Sequence, residues 1–333
     1  MSHLETPHRV APPRAPSPKL QILALSGGGY RGLFTAKVLA NLEEKAGCPL
    51  NQVFDVIAGT SIGGILACGI AQGIEAEAMA KGIQDEGLNI FPKSVFTSGK
   101  RIFTGAYDPK PLRNAIVSIL GEDNANLPFN EIAAALLITT VSQTSARPVI
   151  FKSKGLAESD ADITQTIDIA MSTSAAPTYF PAHRIEKTNL IDGGLVANAP
   201  DLVALTETLR HKTRSLNDIH LLSIGTASVK IDDQANPIKH SGVLGWLTRR
   251  GLVDLTLTVS ERLALQQTET LLGDKLLRID ATPSAKQSKV LALDRADQKA
   301  TDTLIQLATE ATASAWASYG HRLTALLSHS VIP

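Results

Sequence analysis

The sequence predicts an α/β fold in which a mainly parallel central sheet carries helices on both faces. A short apolar run over 20–25 (LQILAL) is typical of a buried parallel strand. A segment of helical period follows over 33–47, and a second apolar run over 54–59 leads into a second apolar helix. This order of strand, helix, strand and helix favours a parallel sheet covered by helices. The 333 residues, 44% of them hydrophobic, can bury a large core in one or two domains.

The later elements are predicted from apolar periodicity and from glycine or proline boundaries. The segment 84–110 breaks the pattern, and long irregular segments often cover active sites. It is interpreted either as a lid over 84–106 or as a surface loop that its phenylalanines hold on the core. The remaining predicted elements are a helix over 111–120, strands over 134–142 and 146–153, a helix over 163–180, and strands over 189–194, over 218–226 and near 275–280.

The chain is predicted to have three parts. Residues 1–18 hold five prolines and are expected to form a flexible tail. Residues 19–226 contain the alternating strands and helices and are expected to form the core of the molecule. Residues 227–333 are mostly of helical pattern, and we expect them to pack on that core.

Composition excludes several classes of function. Lys and Arg together number 32, as do Asp and Glu, and aromatic residues make up 4% of the chain. Bulk binding of nucleic acid needs excess positive charge, so it is not expected. No apolar run reaches the roughly 18–20 residues that span a bilayer, and the tail lacks the apolar region of a secretory signal. The two cysteines, Cys48 and Cys68, have no metal-binding spacing, which favours reduced thiols in a cytosolic protein.

A glycine-rich loop follows the first predicted strand. Gly27, Gly29 and Gly32 satisfy the pattern G-x-G-x-x-G between a strand and a helix, which is the form of a dinucleotide-binding loop. That function also needs an acidic residue at the end of the second strand to bind the ribose. Asp55 precedes the second strand instead of following it, so the nucleotide interpretation is disfavoured.

A serine stands at the turn between the second strand and the second helix. Gly59, Ser61 and Gly63 match G-x-S-x-G, the nucleophile elbow, in which the flanking glycines avoid collisions around a sharp turn. The helix that follows directs its positive end at the serine, which favours a developing anion. The alternative is an ordinary helix N-cap at Thr60 or Ser61.

A nucleophilic serine needs a base, and the eight histidines offer none at a glycine-bounded strand end. Asp192 does stand there, because the predicted strand over 189–192 runs into Gly193 and Gly194. Two glycines allow a sharp turn that brings the carboxylate close to another loop. The alternative is an aspartate that only caps this turn.

These blocks, in this order, resemble the patatin-like phospholipase family: SGGGYRG, GTSIGG, TSAAPTYFP over 173–181, and DGG. The resemblance covers about residues 20–226. It implies a three-layer patatin-like fold and a Ser–Asp dyad that needs no histidine, metal or cofactor. It assigns Ser61 as nucleophile and Asp192 as base, with Arg31 as the basic residue beside the glycine loop. It assigns the oxyanion hole to Gly27, Gly28 and Gly29, and chiefly to the N–H groups of the last two.

Ser26 departs from the family pattern, since many relatives have an aspartate before the glycines. The backbone N–H groups bind the oxyanion, so we expect activity to persist. The resemblance implies fatty acyl esters of phospholipids as substrates. Residues 242–255 place Trp246 beside two arginines, which suits a membrane surface, while a packed helix or a subunit contact is the alternative.

Two stretches, over 23–45 and 90–105, look most similar to bacterial antiphage phospholipases of the cyclic-oligonucleotide signalling system called CBASS. That resemblance implies activation by a cyclic dinucleotide, cyclic GMP–AMP, and a cytoplasmic enzyme that acts peripherally at the inner membrane. No set of residues in the sequence indicates by itself where a cyclic dinucleotide would bind. Two alternatives stay open, a constitutive lipase without nucleotide control and a non-hydrolytic nucleotide-binding protein. The oligomeric state is also open, a homo-oligomer included.

Overall fold

A computed structural model describes residues 19–92, 107–154, 156, 164–211, 215–228, 252–329 and 331. The predicted tail over 1–18, most of the predicted lid and the basic, Trp246-containing stretch up to 251 lie outside these residues.

The centre of the molecule is a mixed eight-stranded sheet. Its main path has the order β5-β6-β3-β2-β1-β7-β8, with β4 paired to β3. Strands β2, β1, β7 and β8 run parallel to one another and to β3, whereas β4, β5 and β6 join by antiparallel pairing. The strands are β1 (Leu20–Leu25), β2 (Val56–Thr60), β3 (Ala135–Ser142), β4 (Arg147–Lys152), β5 (His183–Ile185), β6 (Thr188–Asp192), β7 (Ile219–Ile224) and β8 (Leu276–Ile279).

Helices cover both faces of this sheet, and two apolar clusters lie between the sheet and the helices. β1 and β2 are buried along their whole length, as expected of parallel strands covered on both sides. The helices are α1 (Gly32–Ala46), α2 (Ile62–Ala71), α3 (Ala76–Ile90), α4 (Pro109–Leu120), α5 (Glu122–Asn126), α6 (Thr166–Thr173), α7 (Gly194–Ala197), α8 (Asp201–His211), α9 (Leu252–Leu272), α10 (Ala285–Ser288) and α11 (Gln298–Leu327).

The register around β3 positions the two predicted catalytic residues. β2 pairs with the first part of β3 and ends with Thr60 opposite Thr139. β6 pairs with the last three residues of β3 and places Asp192 opposite Thr140. β4 pairs with the opposite edge of β3, including the residues that pair with β6. β2 and β6 therefore lie end to end along the same edge of β3. The turn after Thr60 and the end of β6 therefore meet, although about 130 residues separate them in the chain.

Two predicted elements need correction. Residues 84–90 are not part of an irregular lid, because α3 continues to Ile90 and buries one face against the core. The lid interpretation therefore concerns 93–106 only, which lie outside the described residues. The helix predicted over 163–180 is shorter, because α6 ends at Thr173 and the chain turns so that the Ala175 carbonyl can accept from the Asp192 amide at 3.1 Å.

The C-terminal part contributes to the same sheet. β8 pairs parallel with β7, near the place predicted for a strand. α11 packs on α1, and Tyr30 Oη lies 2.7 Å from Thr301 Oγ1 at this junction. Among the helices described, none is both long and apolar enough to cross a bilayer.

Candidate active site

Ser61 lies in a sharp turn between β2 and α2. Its φ of +55° and ψ of −128° belong to a region that residues with side chains rarely adopt. The Ser61 amide donates to Thr173 Oγ1 at 2.8 Å, and Thr173 Oγ1 donates to the Thr139 carbonyl at 2.7 Å. These two bonds connect the strained turn to α6 and β3, and so hold it in place.

The two glycines of the elbow are required by close backbone contacts. A Cβ atom on Gly59 would lie 2.2 Å from the Gly63 carbonyl oxygen, and one on Gly63 would lie 2.3 Å from the Leu25 carbonyl oxygen. No side chain fits at either position without moving backbone. α2 begins directly after Ser61, so its positive end favours negative charge there.

The alternative of an ordinary helix cap is wrong for both candidate residues. Ser61 makes no side-chain capping bond to α2. Thr60 Oγ1 instead lies 2.6 Å from Thr139 Oγ1 and donates to the Ala197 carbonyl at 2.7 Å. The hydroxyl of Ser61 is therefore not used to start the helix.

Asp192 ends β6 and is 3% exposed. Burial raises the pKa of Asp192 to about 6, and hydrogen bonds from the Gly194 amide and the Ser61 side chain offset part of that rise. The Gly194 amide donates to Asp192 Oδ1 at 2.7 Å, so the aspartate does cap its own turn as well. A Cβ on Gly193 would lie 2.3 Å from the Thr139 carbonyl oxygen, so the turn packs directly on β3.

The glycine loop lies beside Ser61, and its first glycine is not an oxyanion donor. The Gly27 amide donates to the Asn198 carbonyl at 2.9 Å. The prediction that Gly27 belongs to the oxyanion hole is therefore corrected, because its only N–H group already has an acceptor. Its α-carbon is still close to the nucleophile, since a Cβ on Gly27 would lie 3.2 Å from Ser61 Cβ.

The next two glycines have the properties that an oxyanion hole needs. Among the described residues, no acceptor is bound to the amide of Gly28 or Gly29, and both residues line the pocket of Ser61. Gly29 has a φ of +56°, a conformation that favours glycine. Arg31 Nε donates to the Gly28 carbonyl at 3.4 Å, so the Arg31 side chain helps to hold the glycine loop.

A single pocket brings these groups together. Ser61, Asp192, Gly28 and Gly29 open into it, and its other described residues are mostly apolar. An apolar wall suits an acyl chain and keeps the carboxylate poorly solvated. The apolar lining comes chiefly from α2, α3, α4 and the 174–180 turn and includes Ile62, Ile65, Ile83, Phe91, Leu112, Ile116, Phe180, Leu257 and Leu293.

No histidine is among the described residues that line this pocket. His183, which lies nearest to the DGG turn in the chain, has its Nε2 3.1 Å from Asp168 Oδ1. Sequence reasoning missed Asn198, which lines the pocket and holds Gly27, and Leu257, which α9 brings into the pocket wall. Neither residue stands in a recognisable local pattern, so long-range packing alone reveals them.

A serine in a strained strand–helix turn, facing a buried carboxylate and two backbone amides that have no acceptor in the described part of the chain, is the arrangement of a serine acyl hydrolase. A family model for patatin-like phospholipase matches residues 23–205. The chain belongs to the patatin-like phospholipase family.

Three bacterial relatives share one name, cGAMP-activated phospholipase. That of Pseudomonas aeruginosa is 34% identical over 292 residues, which are 86% of this chain and 86% of that protein. That of Vibrio cholerae is 36% identical over 257 residues, or 70% of this chain and 71% of that protein. That of Escherichia coli is 35% identical over 225 residues, or 63% and 62%. The resemblance noted in the sequence is confirmed.

Proposed function

We propose that this protein is a phospholipase that cleaves fatty acyl esters by a Ser61–Asp192 dyad. One observation carries the proposal. The serine hydroxyl, a buried carboxylate with a pKa of about 6 and two amides without described acceptors share one apolar pocket. A carboxylate of ordinary pKa is a weak base, and the raised pKa of Asp192 brings its basicity closer to what proton transfer at neutral pH needs.

In the first half of the reaction, Ser61 Oγ attacks the ester carbonyl carbon and gives its proton to Asp192. The carbonyl oxygen becomes an anion, and the amides of Gly28 and Gly29 donate to it. One such donor contributes roughly 3–4 kcal/mol to lowering the barrier. The intermediate then expels the alcohol oxygen, which takes the proton from Asp192, and a lysophospholipid leaves.

In the second half, a water molecule gives a proton to Asp192 while its oxygen attacks the acyl-enzyme carbonyl. The same two amides stabilise the second anion. When the intermediate collapses, Ser61 Oγ takes the proton back and the fatty acid leaves. Every proton passes through Asp192, so the reaction needs no histidine in this pocket.

We further propose that a cyclic dinucleotide, cyclic GMP–AMP, activates the enzyme and that it serves as an antiphage effector at the inner membrane. The three relatives named for activation by cGAMP support this, since the alignment with the Pseudomonas aeruginosa protein includes 86% of each chain. The enzyme would reach the bilayer from the cytoplasm as a peripheral protein.

Release of fatty acid from vesicles of phosphatidylethanolamine and phosphatidylglycerol tests the function. Wild-type protein, Ser61→Ala and Asp192→Asn are compared, each with and without cyclic GMP–AMP. We expect release by wild type only, with a sharp rise on adding the nucleotide. Equal release with and without it would support the constitutive lipase, and full activity of Ser61→Ala would contradict the dyad.

The non-hydrolytic nucleotide-binding alternative has lost its main support. The Gly27 amide, the first donor of the loop, is bound to Asn198, and Gly28 and Gly29 face a mainly apolar pocket instead of a polar phosphate site. That alternative would require NAD to raise the melting temperature of the protein and Asp192→Asn to leave function intact.

A further inference from the structure

Gly27 is held through both its backbone N–H and its carbonyl by groups from distant parts of the chain. Its amide donates to the Asn198 carbonyl at 2.9 Å. Its carbonyl accepts from Thr226 Oγ1 at 3.2 Å and from Asn198 Nδ2 at 3.4 Å. The position of Gly28 and Gly29, the next two residues, therefore depends on where Asn198 and Thr226 are held.

Asn198 is held by a largely buried ion pair. Its Nδ2 donates to Glu261 Oε2 at 3.0 Å, and Glu261 Oε1 lies 2.5 Å from Arg278 Nη2. Asn198 and Glu261 are 3% and 5% exposed, so these bonds are shielded from water. Arg278 Nη1 also donates to Ser26 Oγ at 3.0 Å, next to the glycine loop itself.

A second path leads from the same arginine to Gly27. Arg278 Nη2 donates to Asp280 Oδ2 at 2.7 Å, and Asp280 Oδ1 accepts from the Ala227 amide at 3.0 Å. Ala227 has a φ of +52°, so the turn that carries Thr226 is strained and needs external support. Both paths, through Asn198 and through Thr226, end at the backbone of Gly27.

We propose that Arg278 and Glu261 are positioning residues for the oxyanion hole, and that this pair couples the C-terminal part of the chain to catalysis. The inference rests on the proposed function, in which Gly28 and Gly29 bind the oxyanion. Neither Arg278 nor Glu261 is among the described residues that line the substrate pocket. Both lie beyond residues 23–205, the stretch that the family model matches.

The physical reason is the precision that an oxyanion hole requires. Donors must stay within hydrogen-bond reach of the anion, and a misplacement of about 1 Å can cost about a hundredfold in rate. A glycine loop has little stiffness of its own. The guanidinium of Arg278, whose side chain is 18% exposed, has fixed donor directions and binds Ser26, Glu261 and Asp280 at once, and so supplies that stiffness from outside the loop.

Steady-state kinetics on a soluble p-nitrophenyl ester, with cyclic GMP–AMP present, test the proposal. The variants are Glu261→Gln, Arg278→Met and Arg278→Lys. Glu207→Gln is the matched control, because it also removes a carboxylate paired to a cation, Lys152 at 2.7 Å, but has no described bond to the loop. Rates are divided by the number of sites that a fluorophosphonate labels to completion, so misfolded protein does not count.

We expect kcat per labelled site to fall about tenfold to a hundredfold in Glu261→Gln and Arg278→Met, with KM within about twofold. Arg278→Lys should recover part of the loss, and Glu207→Gln should keep the wild-type kcat. An unchanged kcat in Glu261→Gln would overturn the proposal. The result for Glu261→Gln tests the positioning role even if Arg278→Met does not fold.

Hydrogen exchange of the peptide that contains Gly27, Gly28 and Gly29 gives a readout that does not need hydrolysis. Faster exchange there in Glu261→Gln, but not in Glu207→Gln, supports the positioning role even if wild-type protein proves inactive, in which case only the proposed function fails. Unchanged exchange in this peptide would overturn the positioning role while leaving the dyad intact.

Discussion

Two of the buried carboxylates among the described residues, Asp192 and Glu261, have opposite surroundings. Glu261 Oε1 is paired with Arg278 at 2.5 Å, and Glu261 Oε2 accepts a hydrogen bond from Asn198 Nδ2 at 3.0 Å. None of the ion pairs among the described residues includes Asp192, whose neighbours are an amide and the Ser61 hydroxyl. The two side chains are almost equally buried, at 3% and 5% exposure.

The difference illustrates what a directly bound cation changes for a buried carboxylate. Without a cation, burial makes the charged form costly, so Asp192 has a raised pKa and can take a proton from Ser61. With a cation, the charged form of a carboxylate is balanced and the pair acts as a rigid support. We assign the first kind of site to proton transfer in catalysis and the second kind to holding the oxyanion loop.

Replacing Asp192 should have the largest effect. Asp192→Asn cannot accept the proton of Ser61, so we expect kcat for fatty-acid release to fall by about 10²–10⁴-fold. Asp168→Asn is the matched control. Asp168 lies on α6, outside the described pocket lining, and is paired with His183 and Arg113. Equal losses in the two variants would mean that the effect is not specific to the dyad.

Replacing Glu261 should lower stability. Glu261→Gln leaves the largely buried Arg278 with Asp280 as its one salt-bridge partner among the described residues, and we expect the free energy of unfolding to fall by about 2–3 kcal/mol. Urea unfolding at pH 7 measures this change. A loss as small as that of the more exposed Arg295–Asp297 pair, tested with Asp297→Asn, would show that Glu261 is not a support.

Replacing Asp192 should change stability in the opposite direction, by an amount that grows between about pH 4 and pH 6 and stays constant above pH 6. Because the folded pKa of about 6 exceeds the usual 3.8, the folded state binds the proton more tightly and loses stability as pH rises from about 4 to 6. Asp192→Asn removes this loss. We expect the variant to be up to about 3 kcal/mol more stable than wild type at pH 8 and nearly equal at pH 4. Greater stability of wild type at pH 8 would contradict the raised pKa.

The smallest expected effect is on the pH profile of wild-type activity. Asp192 must be ionised to act as a base, so kcat/KM on a soluble ester should fall about tenfold per pH unit below about pH 6. A profile that stays flat down to pH 4.5 would indicate a carboxylate of ordinary pKa. Thermal melts over the same range exclude unfolding as the cause.

Some features of the fold and the site leave a local pattern in the sequence and could be predicted from it. The elbow and the DGG turn were predicted correctly because backbone crowding restricts Gly59, Gly63 and Gly193, and so leaves a readable local pattern. The parallel strands were predicted because they are buried on both sides and therefore continuously apolar.

Other features have no local pattern. β5 has three residues and no buried face to reveal it, and the end of α6 at Thr173 depends on a bond between Ala175 and Asp192. Asn198, Glu261 and Arg278 come together only when α9 and β8 pack on the core. The hydrogen bond from the Gly27 amide to the Asn198 carbonyl also depends on long-range packing. The sequence therefore could not show that Gly27 is not an oxyanion donor.

The most direct test of the account is the site of covalent labelling by a fluorophosphonate, found by peptide mass spectrometry. The account predicts one adduct per chain on Ser61, no adduct in Ser61→Ala, and much slower labelling in Asp192→Asn. An adduct on another serine, or labelling of Asp192→Asn at the wild-type rate, would contradict the Ser61–Asp192 dyad.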